Sequence, residues 1–343
     1  MFNKLVASVL AGSMLFAASS ATAQSDWKSS PEVEELYAKA KEEGSVVMWG
    51  TNGREVEWIP AAFAAEFPGI DVQVVGDNDI VTKAIAEARA GRHEVDVFWH
   101  SITGVQPLNQ RSLFSAVDWS LFGVDPANTA FDKGMGFTNN IVYVFAYNTE
   151  LADTENLPTN WKDLLDPKYK GQMAGSLFLA PRLVSALSIE WGQEEALDFA
   201  RGLMEQDMLL TRAPRDTFLQ SGERIYAAIE VDTLPKLWAE SGLPVDFVVP
   251  EPAVLGQFGS VLMNDAPHPN AGLLLAGWLA SEEGKAARKA AIFEDDLRPN
   301  ADNELAQMIW ADGKAVVDDT PEVIEARSAL YKEAGDILSG QAD

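Results

Sequence analysis

Hydrophobic and polar positions change period several times along this chain, and each change marks an element. Val33, Leu36, Tyr37 and Ala40 recur at helical spacing behind the capping-box pair Ser29 and Glu32, and Gly44 ends the run, so a surface helix is predicted. The apolar run Val46 to Trp49 comes next, then the loop Gly50-Thr51-Asn52-Gly53-Arg54, then Val56, Ile59, Phe63 and Phe67 on one helical face. The unit repeats as a strand from Val72 to Val75, a helix around Val81, Ile85 and Ala88, and a strand from Val95 to Trp99. Alternating strands and helices predict an α/β fold with a mostly parallel, doubly wound sheet.

From Asn139 to Gly171 the chain reads NNIVYVFAYNTELADTENLPTNWKDLLDPKYKG. Val142, Val144 and Ala146 alternate with Tyr143, Phe145 and Tyr147, so both faces are apolar and a strand covered on both sides is predicted. Pro158 disfavours helix at Leu157, while Asn160 is a good N-cap with Asp163 three residues on, which predicts a helix anchored by Trp161. Strands follow at Met173 to Ser176, Met208 to Leu210 and Ile225 to Ile229, with helices at Leu183 to Trp191 and Glu194 to Met204. Val245 to Val249, stopped by Pro250-Glu251-Pro252, reads as a return crossover. Gly259 to Met263 is strand-like, and helical spacing returns at Asn270 to Ala280, Glu282 to Ala291, Asn303 to Trp310 and Pro321 to Leu338.

The segment from Tyr147 to Gly171 resembles the motif Tyr-Asn-Thr, Leu-Pro-x-x-Trp-x-Asp-Leu-Leu-Asp-Pro-x-Tyr-Lys-Gly of the family 1 extracellular solute-binding proteins. That family includes ferric-iron, polyamine and phosphorylated-compound receptors of ABC importers. The resemblance implies a type 2 periplasmic-binding fold, two doubly wound lobes joined by short crossovers. On that basis residues 24–138 and 253–300 form the first lobe, 139–252 the second, and 301–343 C-terminal helices that brace them. It also implies a monomeric receptor that captures a small solute and hands it to an ABC permease in the inner membrane.

Composition narrows the setting. Met1 to Ala23 has Lys4, an apolar stretch from Leu5 to Ala18 and the small-residue site Ala21-Thr22-Ala23, which reads as a secretory signal cleaved after Ala23. The apolar part is shorter than the roughly 20 residues that span a bilayer. A periplasmic protein without direct membrane insertion is therefore expected. With no cysteine, disulfides, thiolate metal sites and a lipid anchor on a cysteine are excluded. The formal net charge of −26, one unit more negative once Lys4 is removed, argues against nucleic acid as a partner. Exposed charges are screened beyond about 8 Å at physiological ionic strength, so local residues rather than this total select the ligand.

In open α/β sheets the ligand crevice lies outside the carboxyl ends of the strands. That rule selects Trp49, Thr51, Asn52 and Arg54 after the first strand, Asp79 after the second, and Trp99, His100 and Ser101 at the third. In the second half it selects Arg182, then Arg212 and Arg215, each pair of loops implied by the resemblance to border the cleft, then Glu230 and Asp232. Each candidate also has a plainer reading: core filling for Trp99, a cap for Asp79 or Asp232, a surface position for each arginine. A neutral His100 would hydrogen-bond a ligand, whereas a charged one would pair with an anion.

Arginines select a carboxylate or phosphate through paired hydrogen bonds, so a small organic anion ranks first among ligands. Ferric iron ranks second by the family's habit, although its adjacent tyrosine pair has no counterpart among Tyr37, Tyr143, Tyr147, Tyr169, Tyr226 and Tyr331. A polyamine held by Glu230 and Asp232 ranks third. No cofactor or resident metal is expected. An enzyme is the rival class, but there is no His-Glu-x-x-His zinc pattern, no Gly-x-Ser-x-Gly elbow and no cysteine nucleophile, and only carboxylate-dependent chemistry stays open.

Overall fold

Helix boundaries in the first lobe follow from caps and prolines. A computed structural model describes residues 27–51, 53–77, 79–299, 301–311, 316–317 and 321–340. The signal segment with its cleavage site and Asn52 lie outside the described residues. The first helix runs Pro31–Glu43 from Ser30, one residue later than the Ser29 pattern, and Ser30 Oγ accepts the Val33 N–H at 3.3 Å. The apolar face from Val56 to Phe67 is split between the helices Gly53–Val56 and Ile59–Glu66, with Pro60 in the first turn of the second.

Eleven strands run through the described residues: β1 (Ser45–Gly50), β2 (Asp71–Gly76), β3 (Val97–Ser101), β4 (Thr129–Ala130), β5 (Met135–Asn148), β6 (Met173–Ser176), β7 (Leu209–Thr211), β8 (Tyr226–Val231), β9 (Val245–Val248), β10 (Val254–Leu262) and β11 (Val316–Val317). They are ordered β2-β1-β3-β10-β5-β8-β6-β7, with β11 beside β10, and β4 and β9 beside β5. β1 pairs in parallel with β2 and β3, and β6 with β7 and β8. The strands between are antiparallel, β10 to β3 and β5, then β5 to β8 and β9. The sheet is therefore mixed, with a parallel half in each lobe.

The two lobes share β5. Met135 to Val142 pair with β10, and Tyr143 to Asn148 pair with β8 and β9, so the chain changes lobes inside a strand. Every residue from Ile141 to Asn148 is buried, which is why both of its side-chain registers are apolar up to Tyr147. In the first lobe Met48 and Trp99 pack in one cluster and Trp49 and Phe98 in another, the period-two division of the two sheet faces. Tyr143, Phe145 and Trp161 belong to the main core of the second lobe.

The segment anchored by Trp161 is a short 3-10 turn, Trp161–Leu165, rather than an α-helix, and both bonds of its Asn160/Asp163 capping box form. Trp161 is fully buried; its Nε1 donates to the Pro252 carbonyl at 3.0 Å and its backbone N–H to the Glu251 carbonyl at 3.2 Å. The motif thus fastens the return crossover to the second lobe. The helix Pro321–Leu338 places Leu330, Ala334 and Leu338 in that same core, while Ile324 joins a cluster of the first lobe. No helix among the described residues is long and apolar enough to cross a membrane.

Candidate ligand-binding cleft

A cavity of ≈ 500 Å³ opens where the carboxyl ends of β1, β3, β6, β7 and β8 face one another across the shared strands. The first lobe contributes Thr51, Arg54 and Glu55 after β1, and Trp99 and His100 at the end of β3. Opposite stand Ser176, Phe178, Leu179 and Arg182 after β6, Arg212, Pro214, Arg215 and Asp216 after β7, and Val231, Leu234 and Trp238 after β8. Asn139, Ile141 and Phe258 from the shared strands form the floor.

Four arginines thus converge from both lobes. Among the described residues neither Arg54 nor Arg212 meets a carboxylate at ion-pair distance, and Arg212 lies over the Phe178 ring at 4.8 Å. Arg182 sits at the N-terminal turn of the helix Leu179–Trp191, whose entry is shaped by Ser176 Oγ accepting the Phe178 and Leu179 N–H groups at 3.3 Å each. Arg215 differs: its Nε and Nη2 donate to the two oxygens of fully buried Glu230, the latter at 3.0 Å. Burial pushes the Glu230 carboxyl up, and the Arg215 guanidinium opposes that shift. Glu230 therefore positions Arg215 and is not itself on the wall.

His100 is buried, and its pKa falls to about 3, first because of burial and second because Arg182 is charged. It is neutral in any ordinary buffer, so of the two readings offered by the sequence the neutral, hydrogen-bonding one fits and the cationic one does not. Its Nδ1 lies 3.0 Å from Ser101 Oγ, and the ring stacks between Phe98 and Phe258 with centroids 6.1 and 6.4 Å away. A Cβ on Gly104 would stand 2.1 Å from that ring nitrogen, so the helix can approach His100 only with glycine there.

The other predicted residues serve nearby roles. Trp49 points to the opposite sheet face, where Lys83 Nζ sits 4.2 Å from its ring centre. Ser101 caps the helix Ile102–Asn109 through the Gly104 N–H at 3.3 Å. Asp79 is exposed, makes no side-chain cap, and its backbone N–H donates to Asp77. Asp232 does not cap the helix Thr233–Glu240; it is fully buried, accepts the Val142 N–H at 3.2 Å and the Lys236 ammonium at 2.8 Å. Lys236 also reaches Asp295 at 2.9 Å.

Sequence reasoning missed Glu55 and the apolar walls Phe178, Trp238 and Phe258. It also missed a buried cluster behind them. Arg288, only 2% exposed, lies over the rings of Trp99 and Trp58 at 4.8 and 5.3 Å, with Glu294 at 3.4 Å and Glu55 at 3.8 Å from its Nη1. Asn139 Nδ2 donates to Glu294, and a second cavity of ≈ 290 Å³ lies on the far side of this cluster.

Residues 58–293 match the family described as bacterial extracellular solute-binding protein. An uncharacterised protein of Haemophilus influenzae is 31% identical over 154 residues, which span 41% of this chain and 43% of that relative's length. Iron-bound HitA from Pseudomonas aeruginosa superposes with a TM-score of 0.71 at 20% identity, covering 85% of this chain and 99% of that one. AfuA from Actinobacillus pleuropneumoniae, solved with exogenous fructose 6-phosphate, gives a TM-score of 0.73 at 18% identity over 86% and 99%. The substrate-binding protein of an ABC transporter from Agrobacterium tumefaciens gives 0.72 at 14% identity over 86% and 94%. These likenesses establish the two-lobed periplasmic-binding fold.

Proposed function

We propose that this chain, which belongs to the bacterial extracellular solute-binding protein family, is the periplasmic receptor of an ABC importer and captures a small organic anion, carboxylated or phosphorylated. The observation that carries this reading is the convergence of Arg54 from one lobe with Arg182, Arg212 and Arg215 from the other on one cavity. Burying an ionised carboxylate or phosphate without partners costs several kcal/mol. Guanidinium groups offset that cost through paired, charge-assisted hydrogen bonds, and Trp99, Phe178 and Phe258 supply apolar area for the rest of the solute. A receptor on this plan closes by twisting about β5 and β10, which excludes water and completes the contacts. The loaded monomer then differs in shape from the empty one, which is what a permease can recognise.

The rival ligands find less here. Among the described residues no tyrosine lines the cleft; Tyr143, Tyr147, Tyr169 and Tyr226 lie in the core of the second lobe. Among the described residues no group of three or more His, Asp and Glu is placed to hold a metal ion. Glu230 and Asp232, the candidates for a polyamine, are engaged by Arg215 and Lys236.

Thermal-shift titration against sugar phosphates, carboxylates, Fe³⁺ and spermidine tests the reading. An anion at 100 times its Kd stabilises by about 2.7 kcal/mol. The expected result is a raised Tm with at least one anion, weakened in Arg54→Ala. A rise with Fe³⁺ or spermidine and none with any anion overturns the choice of ligand, and turnover of a tested compound overturns the receptor.

A further inference from the structure

Charge and apolar surface are separated in the cleft. Trp99, Ile141, Val231 and Phe258 are buried members of one packed cluster, and Leu179 and Leu234, half-buried, lie against it. All six line the cavity, and they come from both lobes and the strands between them, so the patch runs across the place where the lobes meet. The Trp99 and Phe258 rings stack within it, with centroids 5.1 Å apart. The arginines stand nearer to water: Arg54 and Arg212 are exposed, Arg182 and Arg215 half-buried.

Uncharged polar side chains on the wall are few and mostly engaged. They are Thr51, His100, Asn139 and Ser176. His100 Nδ1 lies against Ser101 Oγ, Asn139 accepts from Thr138 and donates to Glu294, and Ser176 Oγ accepts two backbone N–H groups. The carboxylates on the wall sit beside guanidiniums: Glu55 is 3.8 Å from Arg288, and Asp216 follows Arg215 and accepts the Thr217 N–H at 3.1 Å. With its anionic group held by the arginines, the rest of a solute meets the patch. There the one polar side-chain atom among the six residues, Trp99 Nε1, already donates to Thr138 at 2.9 Å. A hydroxyl that gives up water without gaining a partner costs affinity.

We propose that the solute is an anion with an apolar body, an aromatic or branched aliphatic carboxylate or phosphate ester, bound with its charged group at the arginines and its body on the patch, and that Leu179, Leu234 and Phe258 set this preference. This rests on the anion-receptor reading and narrows it. Head and body are recognised by different surfaces. Guanidiniums fix the charged end through directed hydrogen bonds, while the patch favours area removed from water and disfavours any group that still needs water. Because the patch has members on each lobe, a body lying on it is gripped from both sides when the lobes draw together. Polyol anions such as sugar phosphates are discriminated against without a steric clash, through hydroxyls left unpaired.

Two pairs of probes, each matched in the charged group, test this by titration calorimetry: phenyl phosphate against glucose 6-phosphate, and phenylacetate against gluconate. In each pair that binds, the phenyl member is expected to bind at least about tenfold more tightly, which is about 1.4 kcal/mol. A hydroxylated member within tenfold of its partner, or tighter, overturns the apolar body and leaves the anion receptor standing. No binding by any of the four takes away the anion reading and this proposal with it. Leu234→Gln is expected to narrow the ratio within a pair at least about threefold; an unchanged ratio in the folded variant overturns the part given to the patch. Should that variant fail to fold, the wild-type pairs decide alone.

Discussion

The two sides of the cleft floor treat cations differently. Behind it, Arg288 and Lys236 are each held between two carboxylates, Glu55 with Glu294 and Asp232 with Asp295. In front, Arg54 and Arg212 line an open cavity and, among the described residues, have no carboxylate within ion-pair distance. Arg215 stands between these cases, on the wall yet held by Glu230. The contrast separates two kinds of arginine: a guanidinium held by acidic partners carries stability, and one that lacks them is the kind the proposed function assigns to the solute.

The hardest blow to this contrast is Arg288→Met. It strands the buried Glu294 carboxyl and leaves the partly exposed Glu55 without its buried cation, and urea unfolding is expected to show a loss of about 3–5 kcal/mol, the usual cost of removing one partner of a buried ion pair. A loss below about 1 kcal/mol would mean that the cluster is not structural. Second is acid. His100 is buried neutral, with its pKa depressed to about 3, so wild type loses stability as pH falls from the unfolded histidine value near 6.5 toward 3. His100→Gln is expected to flatten that part of the acid denaturation profile, and an unchanged profile would remove His100 from the list of buried neutral groups. Third, Glu230→Gln keeps the shape but loosens Arg215, at a cost of about 1–3 kcal/mol. Least in stability is Arg212→Ala, within about 0.5 kcal/mol of wild type. Its effect falls on binding instead, where losing a charge-assisted contact lowers anion affinity by about tenfold. An Arg212→Ala protein as destabilised as Glu230→Gln would erase the distinction.

Local order was legible wherever a few neighbouring residues decide it. The short apolar runs that predict β1, β2 and β3 and the Asn160, Trp161 and Asp163 turn depend on positions close in sequence, and these elements form. The strand-end rule also brought Thr51, Arg54, Trp99, His100 and the three arginines of the second lobe to one cavity. Asp79 does not line this cavity; it follows β2, the outermost strand of the sheet. The same rule misplaced Trp49 because neighbouring positions on a strand face opposite sides. Glu55, Asn139, Arg288 and Glu294 were out of reach for another reason. They come from separate segments, and only the fold shows that one cation serves two acids.

β5 has a consequence for how the molecule comes apart. One continuous strand serves as an inner member of the sheet of each lobe, so unzipping it from β10 also frays its bonds to β8 and β9. Two cores are thereby tied by a shared ladder. Heating is therefore expected to give a single calorimetric peak, and the amides from Ile141 to Phe145 to be among the last to exchange with deuterium.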